Sequence, residues 1–146
     1  MAKNYTICLG TIGGGLSSSP DGGETWNRIR SPLPSESNVR ALAVYPKDPQ
    51  RILAGTDAGI FRSNNNGVTW EELDSPMGDL QIWSVAVDPM DAETIFAGTR
   101  PEGFRSKDGG KSWEKLSMGV NMNCPIGTPR TTNMIVDPRD NRTIWA

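Results

Sequence analysis

Two carboxylates stand in short segments suited to chemistry: Asp57 in Thr56-Asp57-Ala58 and Glu102 in Thr99-Arg100-Pro101-Glu102. A pair of such groups about 5–10 Å apart can cleave a glycosidic bond, one protonating the leaving oxygen while the other attacks or activates water. Arg40, Trp83, Arg100 and Arg130 supply a second kind of chemistry, ligand binding. An indole suits stacking on a sugar or aromatic ring, and guanidinium groups fix a ligand's polar atoms. Arg40, Trp83 and Thr132 fall at equivalent points of a repeated segment and are expected to line one opening. The alternative for Trp83 is plain packing against a neighbouring sheet. Asp88 and Asp137 each precede proline in a repeated Val-Asp-Pro and read as turn residues, not as a catalytic pair.

The rest of the composition narrows the choice. The chain has 146 residues and no histidine. Ser-His-Asp and Cys-His nucleophiles and histidine-containing zinc sites are therefore excluded. With 15 Lys+Arg against 17 Asp+Glu, the net charge of -2 lacks the dense basic patch that neutralises phosphates, so no nucleic-acid partner is expected. Cys8 and Cys124 are far apart, in neither metal nor redox spacing, and are read as small hydrophobes. No metal site and no cofactor are expected. The early apolar run, Ile7 to Leu9, is too short for a signal peptide or a membrane span, so the default location is cytoplasmic, or secreted if a leader has been removed.

The elements that must hold these residues are written as repeats. Ser19-Pro20-Asp21-Gly22-Gly23-Glu24-Thr25-Trp26 recurs as Ser63-Asn64-Asn65-Asn66-Gly67-Val68-Thr69-Trp70 and as Ser106-Lys107-Asp108-Gly109-Gly110-Lys111-Ser112-Trp113, the serines 44 and then 43 residues apart. Leu9-Gly10-Thr11, Ala54-Gly55-Thr56 and Ala97-Gly98-Thr99 precede the three copies, and Val-Tyr-Pro or Val-Asp-Pro follows at 44–46, 87–89 and 136–138. Three markers in one order establish a true repeat. The middle copy resolves into four extended segments, Arg40 to Tyr45, Arg51 to Gly55, Gly59 to Ser63 and Thr69 to Leu73, divided by Pro, Gly, Asn and Asp. Ala41, Ala43 and Tyr45 alternate with Leu42 and Val44, which predicts a strand covered on both faces. No long amphipathic helical period occurs, so the chain reads as all-β. Four strands in about 43 residues match a β-propeller blade.

Within the repeated element, Asp21, Asn65 and Asp108 are placed to accept hydrogen bonds from their own turns, with glycine at 23, 67 and 110 supplying positive φ. Trp26, Trp70 and Trp113 follow as fillers between sheets. These residues resemble the Asp-box (BNR) repeats of sialidase-like propellers, and the likeness runs along essentially the whole chain. The resemblance implies a propeller but leaves activity open, because such repeats occur in sialidases, xyloglucan-cleaving endoglucanases, sortilin-type receptors and photosystem II assembly factors of the Ycf48 type. The sialidase pattern is incomplete here: no Arg-Ile-Pro segment precedes the first box, and Tyr5 and Tyr45 lack an adjacent acid.

The repeat register assigns blade 1 to about 4–35, blade 2 to about 38–78, blade 3 to about 81–118 and the start of another blade to about 131–146, all within one partial propeller domain. Rings use about 4–8 blades. Three blades leave edges open, so the expected completion is the remainder of a longer six- or seven-bladed chain or a second copy. The connector 117–131 is about six residues longer than its counterpart and carries Asn121, Asn123, Cys124 and Arg130, either as a ligand loop or as a surface insertion. Two functions stay open: a non-catalytic binding or assembly scaffold with a ligand-binding loop face, carbohydrate being one possible ligand, and a glycoside hydrolase using Asp57 and Glu102.

Overall fold

The computed structural model describes residues 5–117, 119, 123 and 127–146. Asn121 and Cys124 lie outside the described residues. Thirteen strands occur among those described: β1 (Ile7–Thr11), β2 (Gly15–Ser19), β3 (Asn27–Arg28), β4 (Val39–Tyr45), β5 (Asp48–Thr56), β6 (Ile60–Ser63), β7 (Glu71–Glu72), β8 (Ile82–Val87), β9 (Ile95–Thr99), β10 (Gly103–Ser106), β11 (Glu114–Leu116), β12 (Ile135–Val136) and β13 (Ile144–Trp145). They form antiparallel sheets in the orders β1-β2-β3, β4-β5-β6-β7, β8-β9-β10-β11 and β12-β13. Every strand pairs with its sequence neighbour, as tight turns between short extended runs require.

Successive sheets pack through a repeated device. A Cβ on Gly10 would fall 2.6 Å from Val39 Cγ1, and one on Gly55 would fall 2.5 Å from Ile82 Cγ2. A Cβ on Gly98 would fall 2.7 Å from Thr131 Cβ. In each pair the glycine belongs to one sheet; Val39 and Ile82 open the next, and Thr131 lies just before β12. The glycine of each Gly-Thr marker is thus a socket for the following blade. Ile82 is completely buried in a core with Tyr45, Leu53, Ile60, Met77, Val85 and Ile95, which joins the second and third sheets. Leu16, Ile29, Val39, Ile52, Phe61 and Trp70 join the first and second. Arg62 adds a polar tie, donating from Nη1 to the Gly109 carbonyl at 2.9 Å.

One expectation changes. β4 is covered on its Ala41, Ala43 and Tyr45 side, but Leu42 is 36% and Val44 54% exposed. The cause is the composition of the first sheet: β1 is its edge, and among the described residues no strand lies beyond β1 to cover Leu42 and Val44. A cleft of about 440 Å³ occupies that space, lined by Cys8, Leu42, Val44, Pro49 and Ile52 among others.

Candidate functional site

The strand order separates two ends of each sheet. The β5–β6 and β9–β10 loops carry Asp57 and Glu102 at one end, and the box turns close β6–β7 and β10–β11 at the other.

At the box end the chemistry is consumed by folding. Ser19 Oγ donates to Asp21 Oδ1 at 2.8 Å and accepts the Gly23 N–H at 2.7 Å. Asp21 also accepts from the Thr25 N–H at 2.9 Å and the Thr25 hydroxyl at 2.6 Å. Ser106, Asp108, Gly110 and Ser112 reproduce this net, and so do Ser63, Asn65, Gly67 and Thr69, except that Asn65 Nδ2 donates to the Thr69 hydroxyl instead of accepting from it. The hydroxyl and backbone donors of Thr25, with Ser19, hold the Asp21 carboxyl down at about 2, and those of Ser112 and Ser106 hold Asp108 at about 2. Such acids stay ionised and cannot serve as proton donors near neutral pH. Trp26 and Trp70 donate Nε1–H to the carbonyls of Gly23 and Gly67 at 3.2 and 3.1 Å. Trp113 Nε1 is buried without a partner. Trp70 is 7% exposed between two sheets, whereas Trp26 is 46% exposed.

At the loop end a different cluster forms. Arg40 and Trp83 each occupy a break in strand register: Val39 pairs with Thr56 and Ala41 with Gly55, while Ile82 pairs with Thr99 and Ser84 with Gly98. Each is therefore the extra residue of a β-bulge, where a side chain is re-aimed. The Arg40 guanidinium stacks over the Trp83 ring, 4.8 Å from its centroid, and the Arg130 guanidinium does the same, also at 4.8 Å. Cation–π attraction holds both. The connector bearing Arg130 is anchored next door, where Thr131 N–H donates to Thr99 O at 3.2 Å and Ser84 Oγ donates to Thr131 O at 2.9 Å. Among the described residues no carboxylate forms an ion pair with Arg40, Arg100 or Arg130. Trp83 Nε1 is buried and has no acceptor.

The two carboxylates are drawn to different partners. Asp57 Oδ1 accepts the Asn38 N–H at 2.8 Å, and Oδ2 accepts from Asn38 Nδ2. The Asn38 carbonyl in turn lies 3.5 Å from Arg40 Nη1, so Asp57 steadies the start of β4 and, through it, the bulge. Glu102 pairs with Lys115 of β11. No hydrogen bond or shared partner links Asp57 to Glu102 among the described residues. Arg100 sits in the β9–β10 loop beside Glu102 and forms no ion pair among the described residues. The loop threonines are spent on shape: Thr56 Oγ1 donates to Gly59 O at 2.8 Å and Thr99 Oγ1 to Glu102 O at 2.7 Å. The Asp57–Asn38 clasp was not foreseen from sequence; Asn38 directly before an apolar strand was the available signal.

The BNR/Asp-box repeat family matches residues 104–115. A xyloglucanase of Acetivibrio thermocellus, Xgh74A, is 34% identical over 70 residues, which are 42% of this chain and 8% of that protein. Among solved structures, an ancestral GH74 enzyme superposes with a TM-score of 0.66 at 23% identity, over 80% of this chain and 17% of that one. YCF48 bound to D1 peptide superposes with a TM-score of 0.60 at 16% identity, over 78% of this chain and 37% of the other. This chain thus spans a minor part of each of these proteins.

Proposed function

We infer, from a chain built of Asp-box β-propeller blades, that its work is to bind a saccharide on the loop face around Trp83. The observation that carries this reading is the stack of Arg40 and Arg130 on Trp83 at two successive inner-strand bulges. It concentrates flat, donor-rich surface where a propeller's ligands are met, on loops held by a rigid scaffold. The 34%-identical segment of a xyloglucanase supports a carbohydrate as the ligand class. In the working protein, further blades cover the edge at β1 and the exposed Leu42 and Val44, as parts of a longer ring. The test is calorimetric titration with neutral and acidic oligosaccharides. Binding that Trp83→Ala weakens about tenfold or more supports the reading, and no binding by any of them refutes it.

The competing reading, glycoside hydrolysis by Asp57 and Glu102, is supported by the same xyloglucanase segment. It is weakened by the separate engagement of the two acids with Asn38 and Lys115. Turnover of an aryl glycoside that Asp57→Asn and Glu102→Gln both abolish would favour it.

A further inference from the structure

The donors around Trp83 point to a narrower ligand, and we propose that the loop-face site takes an acidic saccharide, seating a sugar carboxylate on the Arg130 guanidinium beside Arg40. This rests on the saccharide-binding reading above and goes on to specify the charge of the sugar.

The first ground is like charge held close. Both guanidinium carbons lie 4.8 Å from the same ring centroid, so the two cations are within about 10 Å of each other. An arrangement of this kind gains from an anion that neutralises it. The second ground is the shortage of internal anions. Among the described residues no carboxylate pairs with Arg40 or Arg130, whereas Arg62 has Glu71, Arg105 has Glu114, Lys115 has Glu102, Arg139 has Asp137 and Arg142 has Asp140. Asp57, tied to Arg40 through Asn38, spends both carboxylate oxygens on Asn38. The third ground is the donor set. Two guanidinium groups, with donors and no acceptors, meet there on one indole ring. Donors in excess call for an acceptor-only group, and a planar carboxylate matches the guanidinium fork with two parallel hydrogen bonds. Of the two arginines, Arg130 is exposed and Arg40 half-buried, so Arg130 meets the ligand while Arg40 is braced by the Asn38 carbonyl.

The experiment titrates the chain with trigalacturonate, with the methyl ester of the same trisaccharide and with a neutral xyloglucan oligosaccharide, at low and raised salt. The expected result is trigalacturonate binding at least about tenfold tighter than its ester, with the advantage shrinking as salt rises. Arg130→Gln should remove that advantage, and Arg130→Lys, which keeps the charge but loses the fork, should remove part of it. Exposure of Arg130 makes both variants safe for folding, and an unchanged far-UV circular dichroism spectrum and Tm of the free protein verify it. Equal binding of acid and ester overturns the proposal and leaves saccharide binding intact. An acid preference that survives Arg130→Gln also overturns it, since the carboxylate would then sit elsewhere. Failure of all three sugars to bind overturns this proposal together with the reading on which it rests.

Discussion

Adding one methyl group at Gly55 should destabilise the protein, whereas the same change at Gly78 should not. The Cβ of Gly55→Ala would lie 2.5 Å from Ile82 Cγ2, 3.1 Å from Val85 Cγ1 and 3.2 Å from Ile82 Cβ. Carbon atoms rest about 3.5–4.0 Å apart, so roughly 1 Å of movement must be found. Ile82 is fully buried and β-branched, and it has little freedom to turn away. Overpacking of this kind costs about 1–3 kcal/mol. Alanine returns about 0.5–1 kcal/mol relative to glycine through the unfolded chain. The net loss is about 0–2.5 kcal/mol, and the gap from a variant with the gain but no clash is the full overpacking cost of about 1–3 kcal/mol, read as a difference in Tm of about 3 °C per kcal/mol for a chain of this size. A Cβ on Gly78 meets no atom within 4 Å and needs no positive φ, so Gly78→Ala should be neutral or slightly stabilising. Paired thermal or urea unfolding of the two variants is the assay. If Gly55→Ala is as stable as Gly78→Ala, the glycine sockets do not seat the blades.

Three other outcomes follow from the same geometry. Asp21 and Asp108 should titrate in carboxyl NMR with midpoints near 2, below the ordinary 3.8. Because their folded values are depressed, the stability they contribute is present above the ordinary carboxylate range and is lost as pH falls toward 2, while the Asn65 box is indifferent to pH. Midpoints at the ordinary value would contradict the hydrogen-bond net. Trp70→Ala should cost about 3–5 kcal/mol in chemical denaturation, as buried aromatics do, and Trp26→Ala markedly less, since Trp26 lies half exposed; equal costs would deny Trp70 its inter-sheet role. Asp57→Ala should leave the fold intact but weaken loop-face binding about three- to tenfold by freeing Asn38 and Arg40, and an unchanged affinity in the same titration would break that chain of contacts.

The box residues were legible in sequence because their interactions are local. Ser19, Asp21, Gly23 and Thr25 bond to one another within four positions, so spacing alone carries the geometry. Repeated three times, that spacing also carries the blades. Strand limits were close in β4 and β6, whereas β7 is only Glu71–Glu72, because Trp70 turns inward instead of extending the strand. The loop end was only partly legible. Alignment put Arg40 and Trp83 at equivalent positions, but a bulge is an offset against the partner strand and leaves no mark in one chain read alone. Arg130 joins Trp83 across nearly fifty residues of sequence, so their stacking needed three dimensions. Exposure of Leu42 and Val44 likewise depends on what lies beside β1, not on the alternation within β4 that suggested two covered faces.

The most direct test of the loop-face site is an indole NMR titration of the whole chain with trigalacturonate, with Trp83 assigned through Trp83→Phe. Trp83 should shift as its guanidinium neighbours engage the ligand, while Trp26 and Trp70, bonded to Gly23 and Gly67 in the box turns at the other end, should stay in place. Movement of the box tryptophans with a stationary Trp83 would contradict the account.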